Sequence, residues 1–540
     1  MPISKAQISQ VGLPPHICDL FLNDGKHPSK QEHAEVSSLL RGYEHELSNL
    51  EARIALCRNF LAVVRRVPFE VMAQIFEDYM KITGSTNPLS VLCQVCVSWR
   101  DIAMSHTPLW SERAVRVHNG TIAGSIRPLE GPAAALQAWA KRAAPMPWSL
   151  KVVNPQTDTL QPLPCVPLYL ILSSANAKNL QYLAITGDLQ FTGTAALIVA
   201  EVHSIVVEGA ERTTSRIELP SLSNIRKAVL VNVHPNILPH HFSWSQLTHI
   251  YLGSALKLSE GIAVLRRTIN LQRACIDFET YPHRETRNFG HTGTVPLLHL
   301  SELTFLHGAP LGGFFNYGMS WPKLDRLQLW YEPEPWWNQE SMRIIRSVKR
   351  LHVVAQGGIA SLNYFTPILD ACSLLTHLTF ECITTYVHLF QFLELSEAET
   401  RLPHLEYLGI ECDFIDEFEF NMEWDLEYPT GPQYERLNRH HPFLRPEVAL
   451  ANMLRSRSPG NAAAHGCTPL KQLTIRISEG AFSDPLAERI SNTLAQFEDQ
   501  LDVHLVRGSK TKCPTDMKLT HWGRGLENTL DDLWAFSDNQ

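Results

Sequence analysis

The chain lacks an excess of charge of either sign and a dense group of cysteines. Charged side chains make up 19% of the 540 residues and the formal net charge is −8, so no strongly basic face for nucleic acid or membrane is predicted. The eleven cysteines are scattered from Cys18 to Cys513, which is typical of reduced thiols rather than of a disulfide framework. We therefore expect the protein to be located in the cytoplasm, the nucleus or both.

Long hydrophobic runs are also missing. The first twenty residues show no basic start followed by an apolar run, so no secretory signal is predicted. The most apolar internal segment, residues 195–207, is interrupted by Glu201 and His203 and is too short to span a bilayer. The sequence thus predicts no membrane partner.

Motifs of enzyme chemistry are absent as well. The chain contains no phosphate-binding G-x-x-x-x-G-K-[ST], no G-x-S-x-G and no H-E-x-x-H. Cys93 and Cys96 have the spacing of zinc ligands, but no second Cys or His pair follows at finger distance, and helix-core positions explain them better. We predict that the protein is not an enzyme and binds no cofactor and no metal.

The most extensive positive feature is a repeat of the form aliphatic-x-x-aliphatic-x-aliphatic, found eleven times. Its first residues are Leu180, Val202, Ile225, Leu247, Leu271, Leu300, Leu324, Val348, Leu375, Leu405 and Leu470. The first nine intervals are 22 to 30 residues and the tenth is 65. Each unit predicts a short strand that cannot bury its apolar side alone, whereas stacked units can. The alternative is a set of unrelated strands in an α/β domain.

The pattern also predicts a strand at Trp148–Val153 and an insertion at residues 412–467 within the longest interval. The first half of the insertion is acidic and aromatic, and either grips a basic partner or a metal or forms a solvated surface excursion. The second half, around Ser458 and Gly460, has the composition of a flexible loop.

Two helical features precede the repeats. In residues 32–65 apolar side chains recur every three or four positions, from Val36 to Val64, which predicts an amphipathic helix. This helix forms a coiled coil or dimer contact, or else packs on its own chain. Residues 113–147 have a linker composition around one short helix near Ala133–Arg142.

The segment from Arg66 to Trp110 carries an ordered series of residues. The series comprises Val67-Pro68 with Glu70, Ile75-Phe76, Val95-Cys96 with Trp99-Arg100, and Pro108-Leu109-Trp110. Together they resemble the F-box, the helical module that attaches a protein to the Skp-family adaptor of a cullin-RING ubiquitin ligase. Two departures are Val67, where the family usually has leucine, and the loop from Lys81 to Leu89 with its Gly84-Ser85-Thr86-Asn87-Pro88. A plain helical hairpin that caps a larger body is the alternative.

The resemblance implies which residues contact the adaptor or form the module's small core. They are Pro68, Ile75, Phe76, Val95, Trp99, Leu109 and Trp110. The repeats are similar to leucine-rich repeats, although the turn position that usually holds Asn or Cys never holds Asn here. The implied fold class is an α+β repeat protein: an N-terminal helix and helical F-box followed by an irregular α/β leucine-rich-repeat solenoid.

The domain organisation follows from these assignments. It comprises an N-terminal tail at 1–31, the amphipathic helix at 32–65, the F-box at 66–112, the linker at 113–147, the solenoid at 148–510 and a C-terminal tail or cap at 511–540. By resemblance the protein is the substrate-recognition subunit of an SCF-type ubiquitin ligase in the Ubl conjugation pathway of protein degradation. The alternatives are a non-catalytic scaffold outside any ligase and a repeat-protein enzyme or ligand receptor.

The target would bind the exposed face of the strands. Strand alternation places the fourth and sixth motif positions in the core and the third, fifth and seventh on an open surface. Basic groups dominate the middle of the third positions, and the predicted target-binding residues are Tyr251, Arg273, Arg326, Trp330, Arg350 and His352. Because guanidinium groups bond two oxygens at once, we expect an acidic or phosphorylated protein segment. Alternatively these charges only solubilise the sheet and pair with Asp277, Glu302 and Glu381.

Overall fold

The computed structural model describes the chain in segments separated by gaps. The described residues are 15–22, 27, 29–61, 66–83, 88–116, 130–143, 146–153, 163–164, 177–187, 189–190, 202–209, 224–235, 238, 242–279, 295–306, 318–331, 341–355, 362–381, 386–396, 400–412, 446–477 and 484–507. They belong to two compact units, Met1–Asp78 and Tyr79–Gln540. The division falls inside the predicted F-box segment. Of the predicted N-terminal tail at 1–31, residues 1–14 lie outside the described residues and Pro15–Leu22 is helical; the predicted C-terminal tail at 511–540 and the acidic stretch 413–445 also lie outside the described residues.

The first unit consists of helices. These are α1 (Pro15–Leu22), α2 (Lys30–Leu61) and the start of α3 (Phe69–Thr83). Ser29 and Glu32 begin α2 with a reciprocal capping box, since each side chain accepts a hydrogen bond from the other residue's backbone N–H. The predicted helix at 32–65 is thus confirmed over most of its length. Its apolar stripe is solvent-exposed, with Leu47 56% and Leu50 52% exposed.

The second unit continues with short helices. They are α4 (Pro88–Val95), α5 (Val97–Ser105), a 3₁₀ turn (Thr107–Trp110) and α6 (Glu130–Ala143). Trp110 connects them: its indole N–H donates to the Ala103 carbonyl at 2.9 Å, while its own carbonyl accepts from the Trp139 indole at 2.7 Å. The two rings meet edge to face at 4.5 Å. The helix predicted near Ala133–Arg142 is therefore present as α6 and is packed against the 3₁₀ turn.

Eighteen strands are found in the described part of the chain. They are β1 (Glu112–Arg116), β2 (Trp148–Val153), β3 (Leu163–Pro164), β4 (Leu180–Thr186), β5 (Leu189–Gln190), β6 (Ser204–Glu208), β7 (Lys227–Val231), β8 (His249–Leu256), β9 (Arg273–Phe278), β10 (Val295–Pro296), β11 (Glu302–Phe305), β12 (Met319–Ser320), β13 (Arg326–Tyr331), β14 (Arg350–Ala355), β15 (His377–Glu381), β16 (Tyr407–Cys412), β17 (Gln472–Ile477) and β18 (Asp502–Arg507). Two pairs, β3–β5 and β10–β12, form separate two-stranded sheets.

The other fourteen strands form one open sheet in which strands pair in chain order and every pairing is parallel. All eleven strands predicted from the repeat are present, and so is the strand at Trp148–Val153. Equivalent motif positions lie side by side: Arg326 pairs with Arg350, Arg350 with His377, and His377 with Tyr407. The arrangement is compatible with stacked α/β repeats.

The core lies under the first, fourth and sixth motif positions. In all eleven repeats these side chains are at most 4% exposed, the largest value belonging to Leu470. Helices α7 (Leu258–Arg267), α8 (Leu362–Ala371) and α9 (Tyr386–Leu393) follow strands as return segments. Gly261 of α7 is packed so closely that a Cβ would lie 2.5 Å from the ring of Phe278 on β9. The helix therefore needs glycine there.

The second half of the insertion is helical, so the prediction of a flexible loop is wrong. It forms α10 (Pro446–Ser456) and α11 (Pro459–Ala464), and α12 (Asp484–Leu494) follows β17. Pro459 occupies the first turn of α11, where its missing N–H costs nothing. Arg457, 1% exposed, donates from Nε to the Leu393 carbonyl at 2.7 Å and from Nη1 and Nη2 to the carbonyls of Leu402 and Arg401. Burial lowers the pKa of this guanidinium to about 10.

Candidate functional site

The predicted adaptor-binding residues of the first unit differ in exposure. Pro68 precedes α3 and is exposed, and its carbonyl accepts the Met72 N–H at 3.0 Å. Ile75 is 49% exposed, whereas Phe76 is 1% exposed and belongs to the buried face of α3 with Met72. Sequence reasoning missed Phe69 and Val71, which are 45% and 49% exposed on the same helix. The exposed face of α3 is thus more apolar than the predicted residues alone indicate.

The predicted adaptor-binding residues of the second unit divide in the same way. Val95 is 54% exposed at the end of α4, Trp99 is half-buried, and Leu109 and Trp110 are buried. Sequence reasoning also missed four further exposed apolar side chains. They are Ile82 at 76%, Val91 at 51%, Val97 at 67% and Met104 at 39%. In each unit the helices therefore expose large apolar side chains.

Cys96 has a structural role at the junction of α4 and α5. Its Sγ accepts the backbone N–H of Trp99 at 3.5 Å and so caps the N-terminus of α5. Arg100 ties the same junction together by donating from Nε to the Cys93 carbonyl at 2.9 Å. Among the described residues, no group of three His, Cys, Asp or Glu side chains could hold a metal ion. In that same part of the chain, none of the helices has the length and apolarity needed to cross a membrane.

The third motif positions form a row across the sheet, which we call the third-position row. Its described central members are Lys227, His249, Arg273, Glu302, Arg326, Arg350, His377 and Tyr407. Successive members sit in register on adjacent strands, which are about 4.8 Å apart. The row holds four permanent cations and one carboxylate, so its centre is electropositive. Residues Arg273, Arg326 and Arg350 lie on it as predicted from strand alternation.

Glu302 lies between two of the arginines. Its carboxylate is 3.3 Å from Arg273 Nε and 3.8 Å from Arg326 Nη1, and its side chain is 14% exposed. One carboxylate therefore faces two guanidinium groups. This contact agrees with the alternative in which the row is partly paired internally, and sequence reasoning had weighed Glu302 for that role.

His377 marks the transition from cationic to aromatic members of the row. Its ring stacks on Tyr407 with centroids 5.5 Å apart, and its Nδ1 is 2.9 Å from the Thr376 hydroxyl. Burial lowers the pKa of His377, and the nearby Arg350 lowers it further, while Glu406 opposes both. The imidazole is thus held toward its neutral form beside a fixed cation.

The fifth motif positions were predicted to lie on an open surface. In β4, β6, β7, β8 and β9 this prediction is wrong. There the side chains form a buried apolar cluster of Ala184, Val206, Val229, Tyr251, Cys275 and the nearby Leu306. Tyr251 is only 7% exposed and its ring lies over Gly253. It is therefore part of the packing and is not an aromatic platform for a target.

Burial also lowers the pKa of Lys151, whose backbone pairs with Ala184 at the edge of this cluster, while Glu208 opposes the shift.

In β11, β13, β14 and β15 the fifth positions are polar and half-buried. They include Thr304, Gln328, His352 and Thr379. His352 lies beside Gln328 and Thr379 in register. Trp330 lies on β13, but its side chain is outside the described residues. The accessible part of the predicted target surface is thus the third-position row from Lys227 to His377, together with the fifth positions of β11, β13, β14 and β15. Tyr407, at the end of the row, is buried.

Comparison with models of protein families gives no match to this chain, and comparison with curated proteins gives none either.

Proposed function

We propose that this protein is the substrate-recognition subunit of an SCF-type cullin-RING ubiquitin ligase, with an F-box at 66–112 and an irregular leucine-rich-repeat solenoid. The F-box would bind a Skp-family adaptor, and the solenoid would bind the target. The protein itself would perform no bond chemistry. It would raise the effective concentration of target lysines near a ubiquitin-charged enzyme.

One observation carries the adaptor half of the proposal. Along the 66–112 segment, helices α3 to α5 each bury one face and leave large apolar side chains exposed on the other, among them Ile75 and Val95. Exposed apolar groups in such numbers mark a surface for a protein partner. They occur within the segment whose residues resemble the F-box.

The repeat half is supported by the sheet. Strand order follows chain order, pairing is parallel throughout, and the aliphatic motif positions are buried in every repeat. Stacked units of 20 to 29 residues with these properties are typical of leucine-rich repeats. The electropositive third-position row supports an acidic or phosphorylated segment as the target.

The experiment is capture of a Skp-family adaptor by the full-length chain. Ile75→Glu and Val95→Glu, made separately, should each lower capture by about tenfold or more, because a charge then meets an apolar interface. Ile269→Glu, at a residue 53% exposed in the sheet unit, is the matched control and should bind normally. Parental capture by both test variants would contradict the F-box assignment.

A scaffold acting outside a ligase is the second candidate, and the same exposed helices would fit it. Both candidates bind the adaptor, so the lifetime of captured partners separates them. Under the ligase proposal, partners recovered with proteasome block should persist longer when the chain is depleted. An unchanged lifetime would favour the scaffold.

A further inference from the structure

The apolar stripe of α2 has the period of a coiled coil. From Val36 onward its apolar residues are spaced by alternating steps of four and three, through Leu40, Tyr43, Leu47, Leu50, Ile54 and Cys57. An average of 3.5 residues is the period of a coiled-coil seam, whereas a helix on a globular core follows 3.6. Leu40, Leu47 and Ile54 then occupy a positions, and Tyr43, Leu50 and Cys57 occupy d positions.

This seam is open along the helix. Leu40, Leu47 and Leu50 are 52% to 56% exposed, and Tyr43 and Ile54 are 41% and 42% exposed. The helix spans 32 residues, about 48 Å at the usual rise per residue. Gly42 is at an outer c position, where an added Cβ would meet nothing within 4 Å. The weak helix former is therefore away from the seam.

We propose that a second copy of this chain covers the seam, with the two α2 helices antiparallel. The flanking e and g positions carry Glu44, Glu46 and Glu51 in the first half of the seam and Arg53 and Arg58 in the second. In a parallel pair, g residues face the e residues of the next heptad, so Glu46 meets Glu51 and Arg53 meets Arg58. Every charged pair of that arrangement is repulsive.

The antiparallel arrangement reduces this conflict. Facing g positions then bring Glu46 beside Arg53 of the second copy, twice by symmetry. Glu44 and Glu51 remain as the only like-charged neighbours. The charge pattern of the seam is therefore suited to its own reversed copy and opposes the parallel one.

The number of apolar layers sets the register. Centring the pair between Leu47 and Leu50 aligns Leu40 with Cys57 and Tyr43 with Ile54 of the second copy. Shifting the register by one heptad leaves fewer apolar layers overlapping within Lys30–Leu61.

The dimer would carry two sheet units, and a target with two binding segments would be held by both. The inference concerns the first unit alone and does not depend on the proposed ligase function.

The first test is the mass of the purified full-length chain in solution, by sedimentation or light scattering, across a dilution series. The parental chain should be a dimer that dissociates on dilution. The double variant Leu47→Glu with Leu50→Glu should be monomeric. Ser48→Glu with Ala52→Glu adds the same charge at outer positions of the same turns and should remain dimeric. A monomeric parental chain, or equal behaviour of the two double variants, would overturn the proposal.

The second test determines the orientation. Glu46→Arg places two arginines together in the antiparallel dimer and should raise its dissociation constant by about tenfold, whereas in a parallel dimer it would relieve repulsion from Glu51 and tighten binding. Adding Arg53→Glu to it should restore the antiparallel affinity. Tighter binding by Glu46→Arg alone would overturn the antiparallel arrangement.

A short bis-maleimide gives an independent measure of orientation. The Leu40→Cys variant should form a link from Cys57 to the new thiol of the second copy, identified by peptide mass mapping. Two Cys57 thiols would be about 25 Å apart in the antiparallel pair, so the parental chain should give no Cys57–Cys57 link. Such a link in the parental chain would contradict the proposed orientation.

Discussion

The two halves of the large sheet share one buried side and differ on the other. In both, the first, fourth and sixth motif positions are almost inaccessible to solvent. On the opposite side, β4 to β9 bury apolar fifth positions, whereas β11, β13, β14 and β15 carry half-buried polar ones. The repeat therefore dictates only one face of the sheet. On the other face the third-position row carries charge through both halves, whereas the fifth positions are apolar and packed in the first half and polar in the second.

The largest expected effect is the loss of stability when a charge is placed in the buried apolar cluster of the fifth positions. Val229 is fully buried at the centre of the apolar cluster, so Val229→Asp should destabilise the sheet unit by at least about 3 kcal/mol. Thr379→Asp, at the equivalent position in the second half, should cost within about 1 kcal/mol. Urea unfolding measures both losses, and hydrogen exchange across β6 to β8 and across β14 to β16 localises them. Similar losses in the two variants would mean that the halves do not differ as described.

Charge reversal in the third-position row, in the second half of the sheet, should abolish target capture with little loss of stability. Arg326→Glu with Arg350→Glu removes two cations of the third-position row and adds a carboxylate near Glu302, at a stability cost of about 1 kcal/mol. Affinity purification under proteasome block should then lose most partners while keeping the adaptor. Lys349→Glu with Lys471→Glu makes the same charge change at the neighbouring second positions and should keep the partners. An unchanged partner list in the row variant would contradict this target site.

Titration of His377 should give the smallest effect. Its folded-state pKa is lowered below 6.5, chiefly by burial and then by Arg350, so below pH 6.5 the unfolded chain binds more protons. Stability should therefore fall as the pH drops through this range and level off below the folded-state pKa. Arg350→Gln should raise the pKa of His377 and reduce that fall, whereas Lys349→Gln should change it less. Imidazole NMR shifts and thermal midpoints on either side of pH 6.5 test both statements.

The spacing of aliphatic residues in the repeat was sufficient to predict the buried face of the sheet. It was not sufficient to predict the strands at the two ends of the sheet. The two strands of the large sheet that the sequence did not predict, β1 and β18, pair in register with β2 and β17 but depart from the repeat template. Arg113 stands where β1 would need an aliphatic fourth position, and Gln500 stands where β18 would need an aliphatic first position. Among the described strands, β1 and β18 each pair with one neighbour. A terminal unit can therefore depart from the template while keeping its backbone pairing.

Burial on the second face of the sheet could not be predicted from the repeat. Alternation assigns Tyr251 to that face, but whether the face is covered depends on packing that a six-residue motif does not encode. The helices of the insertion were missed for a different reason. Gly460 and Asn461 suggested a loop, although Ser458 followed by Pro459 is also a common helix start. The F-box assignment, the target site and the domain boundaries remain predictions.

The long connection between β16 and β17 costs little closure entropy. It contains 59 residues where the one from β14 to β15 contains 21, yet strand register is the same across both. Loop-closure entropy grows only logarithmically with length, so the longer connection costs about 1 kcal/mol more. Arg457, bound to the carbonyls of Leu393, Leu402 and Arg401, shortens the effective loop by fixing a point near its end. The closure entropy of this connection therefore depends only weakly on its length, so strands separated by very unequal intervals can share one sheet at nearly the same cost.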